Sequence, residues 1–187
     1  KIAFSETRDH TQLLEPFLPD GVYKNSRLER VYEFNASGVE TLKFEGRSVE
    51  QSLVDARWEA IRQPDLASII YTSGTTAAPK GAMMSHRGLI AEYLSCIVEL
   101  GFGPADRALA ALPLYHSAQM HVFTMPQLLV GAGTVLIEAP SPELCLRLIE
   151  EHRITSFFAP PTVWIGLLRH PEFGTRDLSS LRQIFYG

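Results

Sequence analysis

From residue 66 onward, short apolar runs alternate with stretches whose apolar residues recur at helical spacing, the rhythm of strands joined by helices. The near-continuous apolar run 66–71 ends in a cluster of Thr, Ser and Gly. It predicts a buried strand, followed by a loop through Gly81. Leu89, Tyr93, Ile97 and Leu100 then share one helical face, with Ser85 as N-cap and Gly101 just past the end. A strand over 108–112 leads into a turn through Pro113, Tyr115 and His116, a helix at about 119–130 and a strand over 134–138. Ser141-Pro142-Glu143 has the cap, the proline and the acid of a helix start, and that helix should run to about 152. A strand over 155–159, a helix from Pro160-Pro161 to 169 and a last strand over 182–186 complete the pattern. The expected fold class is α/β, with mostly parallel βαβ layers.

The first 65 residues are less regular. Turn signals stand at Pro19-Asp20-Gly21 and Ala36-Ser37-Gly38, short strands are predicted over 30–34 and 39–44, and residues 1–6 read as a strand already under way. The organisation expected is one partial domain, with 1–65 as lead-in and 66–187 carrying the βαβ units. No internal repeat or linker interrupts it.

Composition narrows the class. Hydrophobic residues make up 45% and charged residues 20% of the 187, the balance of a globular domain rather than a disordered or collagen-like chain. Seventeen Lys and Arg against 21 Asp and Glu leave a net charge of −4, so no basic stripe points to nucleic acid. Cys96 and Cys145 lie in apolar stretches without a CxxC or a nearby pair of histidines, which argues for buried free thiols. The stretch 108–137 carries no Asp, Glu, Lys or Arg and is long enough for a membrane span. Its Pro113, His116, Gln119, His121, Pro126 and Gln127 suit a protein core with a lined pocket better than hydrocarbon.

The chemistry concentrates in Tyr71-Thr72-Ser73-Gly74-Thr75-Thr76-Ala77-Ala78-Pro79-Lys80-Gly81. Hydroxyls, glycine-exposed backbone N–H groups and one lysine are what phosphate oxygens need at close range, and a triphosphate is the natural tenant. The loop is not a Walker A sequence, because Pro79 precedes Lys80 and Gly81 follows it.

Thr72-Ser73-Gly74-Thr75-Thr76 followed by Pro79-Lys80-Gly81 closely resembles the signature loop of the adenylate-forming, or AMP-binding, superfamily of acyl-CoA synthetases, luciferases and peptide-synthetase adenylation domains. Leu112-Pro113-Leu114-Tyr115-His116 is similar to the aromatic-histidine turn of its acyl-CoA ligase branch. Phe158-Ala159-Pro160-Pro161 and Phe185-Tyr186-Gly187 fit the family's order of segments. The resemblance implies part of the large N-terminal domain of a fatty acid–CoA ligase, with the C-terminal domain that bears a catalytic lysine absent and the chain alone inactive. The implied reaction has two steps. A carboxylate attacks the α-phosphate of ATP to give an acyl-adenylate and pyrophosphate, and coenzyme A then takes the acyl group. By this likeness Thr72, Ser73, Gly74, Thr75, Thr76 and Lys80 hold the β- and γ-phosphates, His116 lines the acyl carboxylate and α-phosphate site, and Mg²⁺ accompanies the nucleotide. No metal ligand is assigned in this chain.

Two positions depart from the pattern. Ala77 stands where the family usually has glycine, and Met120 stands where some long-chain members carry a tryptophan gate. Met120, Phe123 and Met125 fit either an acyl tunnel or ordinary core, with core favoured. His116 and His121 are offset by more than one helical turn and should not share a face. His10, His86, His152 and His170 read as surface or capping residues. Two further functions stay open: a nucleotide-binding or assembly module without catalysis, and an acyl-AMP ligase that passes the acyl group to a carrier protein. The expected location is cytoplasmic, with peripheral membrane attachment as the alternative. Apolar residues crowding the last strand predict self-association.

Overall fold

The computed structural model describes residues 2–5, 8–22, 27–72 and 79–187. Backbone contacts divide the chain into two compact units, 1–61 and 62–187.

In the first unit, β1 (Ile2–Ser5) pairs in parallel with β2 (Arg30–Glu33). Helix α1 (Arg8–Leu14) connects them and α2 (Ala36–Gly46) and α3 (Gln51–Ala60) follow. The expected strand over 39–44 is instead part of α2. Asn35 explains the correction, because its side chain accepts the N–H of Gly38 at 2.9 Å and caps a helix whose first turn is the Ala36-Ser37-Gly38 read as a turn. Gly38, Leu42 and Glu45 are the half-buried positions of α2, a helical and not a strand spacing.

The second unit opens with a hairpin. β3 (Leu66–Thr72) pairs antiparallel with β4 (Lys80–Ser85) as a two-stranded ribbon. The expectation of a buried strand is corrected, since most of β3 is exposed, and among the described residues β4 is its one strand partner. The expected loop through Gly81 is likewise shorter, since β4 begins at Lys80.

Helix α4 (His86–Leu100) begins where Ser85 accepts the N–H of Gly88 at 3.1 Å and ends at Gly101, whose φ of 68° is the left-handed conformation that glycine adopts without strain. β5 (Arg107–Ala110), β6 (Gly133–Leu136), β7 (Ser156–Phe158) and β8 (Gln183–Phe185) then form an all-parallel sheet in the order β6-β5-β7-β8. The connections are α5 (Met125–Leu129) between β5 and β6, α6 (Pro142–Glu151) between β6 and β7, and α7 (Pro161–Arg169) between β7 and β8. The Ser141 cap is formed, its hydroxyl accepting the Leu144 N–H at 3.2 Å.

Strand alternation sends side chains to both faces. Leu109 and Phe157 pack with Cys145, Leu146 and Ile149 of α6 and Leu167 of α7. Burial pushes the Cys145 thiol up to about 11. On the other face Phe158 and Phe185 meet Phe102 and Phe123, and the Gln127 side chain of α5 donates to Ser156 Oγ at 3.0 Å. The uncharged stretch 108–137 is thereby divided among two strands, a turn and helices, and among the described residues no helix is long and apolar enough to cross a membrane.

One element was not foreseen. Residues Ala118–Thr124, expected as ordinary helix, form a π-helix in which the Met125 N–H reaches the Met120 carbonyl five residues back. Pro126 has no N–H for the α-type bond to the Val122 carbonyl, which favours wider winding just before it.

Candidate functional site

Thr72 ends β3 and Lys80 begins β4, and the register places them directly opposite each other. Cross-strand partners project to one face of a ribbon, so the Thr72 and Lys80 side chains leave the same face at the loop end of the hairpin, where residues 73–79 join the two strands. Both are exposed. Behind them Tyr71 pairs with Gly81, and a Cβ built on Gly81 would lie 2.9 Å from Ile69 Cγ2. Glycine is therefore the residue that lets the ribbon close beside Ile69. The expected phosphate contacts Ser73, Gly74, Thr75 and Thr76, and with them Ala77, lie outside the described residues.

His116 lies on a separate element, the turn that follows β5. The sheet order gives that position meaning: the chain leaves β5 toward β6 on one side and leaves β7 toward β8 on the other. Such a reversal opens a crevice at the carboxyl ends of the two strands, the usual place for a ligand in an open α/β sheet. His116 follows the end of β5, and Ala159-Pro160 follows the end of β7. Beside them the Phe185 carbonyl accepts both the Ala159 N–H and the Trp164 indole N–H, each at 3.1 Å.

The His116 turn is closed by its own backbone. The His116 N–H donates to the Pro113 carbonyl at 3.0 Å, the Met120 N–H donates to the His116 carbonyl at 3.1 Å, and the Ala118 N–H donates to His116 Nδ1 at 3.3 Å. An Nδ1 that accepts carries no proton, so the neutral ring presents Nε2–H outward. The side chain is exposed, as contact with a ligand requires.

Sequence reasoning missed the side chains that hold this turn. Gln119, 2% exposed, accepts the Leu112 N–H and donates to Thr124. Tyr93 of α4 hydrogen-bonds His121 Nδ1 at 2.7 Å, and burial followed by the nearby Glu92 charge holds the phenol above its ordinary range. Gln119 and His121, polar residues inside an uncharged run, were the available signal. Phe123, weighed as tunnel lining, stacks on Phe158 with ring centroids 4.1 Å apart and belongs to the core.

Among the described residues no group of three His, Cys, Asp or Glu could hold a metal ion. The donors at the hairpin mouth, a hydroxyl and an ammonium, suit phosphate oxygens rather than a divalent cation. No step is assigned to Mg²⁺.

Comparison with known proteins points the same way. The sequence model of the family described as AMP-binding enzyme matches residues 4–187. The chain is 37% identical over 123 residues to a feruloyl-CoA synthase of Amycolatopsis sp, covering 66% of this chain and 25% of that protein. It is 33% identical over 126 residues to a long-chain-fatty-acid–CoA ligase of Bacillus subtilis, covering 66% of this chain and 22% of that one. ATP-bound MatB from Rhodopseudomonas palustris superposes with a TM-score of 0.71 at 26% identity, over 100% of this chain and 34% of that one. MenE of Bacillus subtilis, an O-succinylbenzoate coenzyme A synthetase solved with AMP, gives 0.56 at 31% identity over 68% and 32%. The chain thus spans about a quarter of the length of these curated relatives and about a third of the solved ones.

Proposed function

Because the chain belongs to the AMP-binding enzyme family, we propose that it is the phosphate-binding part of an ATP-dependent carboxylic acid–CoA ligase. The observation that carries this reading is the pairing of Thr72 with Lys80 at the loop end of the hairpin, on either side of residues 73–79, which include Ser73-Gly74-Thr75-Thr76. Lys80 supplies a cation to the β- and γ-phosphates, and the hydroxyls with the Gly74 backbone supply donors for their oxygens. Charge gathers on the pyrophosphate as the acyl carboxylate attacks the α-phosphate, and donors fixed in advance stabilise it most in the transition state. His116 offers Nε2–H to the acyl carboxylate and α-phosphate oxygens, acting as a hydrogen-bond donor. Coenzyme A is the acceptor in the second step.

The acid is read as a fatty acid. An aromatic acid is the second reading, favoured by the 37% identity to a feruloyl-CoA synthase against 33% to a long-chain ligase. Acid-dependent exchange of pyrophosphate into ATP by the full-length protein, run with fatty and aromatic acids and followed by thioester formation with coenzyme A, tests the proposal. Exchange and thioester with one class support it. Exchange with no thioester favours an acyl-AMP ligase that serves a carrier protein, and no exchange with any acid favours a non-catalytic nucleotide-binding module.

A further inference from the structure

We propose that Gln119 is a positioning residue for His116, a brace that fixes which ring nitrogen the turn after β5 presents. The brace stands on geometry alone; its value for catalysis rests on the reading of His116 given above.

Gln119 lies in the π-helix three residues after His116 and is 2% exposed. A buried amide has to find partners for both its ends. Its Oε1 accepts the N–H of Leu112 at 3.4 Å, and its Nε2 donates to Oγ1 of the buried Thr124 at 3.0 Å. One side chain therefore ties the backbone just before the His116 turn to the last residue of the π-helix after it. The whole turn lies between these anchors.

Within the turn, His116 uses its N–H, its carbonyl and its Nδ1 on Pro113, Met120 and Ala118. Nε2–H is the ring's remaining donor. The Ala118 N–H to Nδ1 contact spans two residues and at 3.3 Å is sensitive to any opening of the turn. Tyr93 adds a second restraint on the same π-helix through His121. A leucine at 119 fills the space but releases Leu112 from Thr124, and a valine at 124 keeps the volume while removing the acceptor for Nε2.

Long-range proton–nitrogen correlation of the imidazoles in the 187-residue chain, at about pH 8 where histidine is neutral, reads the tautomer directly. His170 is an internal reference, because its Nδ1 also accepts a backbone N–H two residues on, from Glu172 at 3.3 Å. Expected is a wild-type His116 in the Nε2–H form. Gln119→Leu moves it to the mixed pattern of an unrestrained ring while His170 keeps its own. An unchanged His116 in a folded Gln119→Leu protein overturns the proposal. Should that variant not fold, Thr124→Val decides: the same movement of His116 alone supports the brace, and an unchanged His116 or joint loss of the His170 pattern overturns it. No nucleotide or acid enters this measurement, so its failure leaves the ligase reading untouched, and failure of pyrophosphate exchange leaves the brace untouched.

Discussion

Thr72 and Lys80 are register partners at the loop end of the β3–β4 hairpin. The segment with the densest phosphate chemistry in the chain therefore starts and ends at a fixed separation set by strand pairing, with a hydroxyl and an ammonium on one face.

If the chain serves the proposed ligase reaction, Lys80→Ala is expected to weaken adenylation by ~1.5–3 kcal/mol, the range for a hydrogen bond to a charged group. An unchanged kcat/KM for ATP would remove Lys80 from the site.

Gly81→Val places a branched side chain against Ile69, where a Cβ alone would lie 2.9 Å from Cγ2. The Ile69 side chain or the strands themselves must shift to admit it. Amide hydrogen exchange should accelerate across β3 and β4 and stay unchanged in β5 and β7; protection retained throughout β3 would contradict the packing described.

Hydrogen bonds from Ser179, by side chain and backbone, and then from Arg153 hold the Asp177 carboxyl down at about 2. The sign follows from linkage: a carboxyl depressed in the folded state stabilises it fully above the ordinary aspartate range, and the contribution fades as pH falls through about 2. The Asp177 carboxyl carbon, followed by NMR, should titrate well below an ordinary aspartate, and Arg153→Ala should raise its midpoint. A midpoint near 4, the ordinary value, would show the contacts absent in solution.

β8 is an edge strand of the parallel sheet, with Ile184 56% and Tyr186 76% exposed. An uncovered apolar edge favours association of copies. Sedimentation equilibrium at tens of micromolar should show oligomers that Ile184→Lys reduces, whereas a monomer under those conditions would count against the expectation.

The second unit was largely legible because its signals are local. Ser85 and Gly101 bracket α4, Ser141 and Pro142 start α6, and Pro160-Pro161 starts α7, each through chemistry at one or two residues. What the sequence concealed depends on partners. The run 66–71 looks like a buried strand by its continuity, yet burial depends on what covers it, and among the described residues β3 pairs only with β4. The strand expected over 39–44 gives way once Asn35 is seen to cap the helix. The π-helix has no periodic signature over seven residues, and the Gln119 and Tyr93 braces join residues that only the fold brings together.

The most direct test of the proposed phosphate site is a titration of the isotope-labelled chain with ATP, inorganic triphosphate and adenosine, watching the backbone amides of Thr72, Lys80 and Gly81. ATP and triphosphate should shift these amides alike, adenosine should leave them in place, and Lys80→Ala should abolish the response at Thr72. Equal shifts with adenosine, or no shift at Thr72 and Lys80 with either phosphate compound, would contradict the assignment of the hairpin mouth to the nucleotide's phosphates.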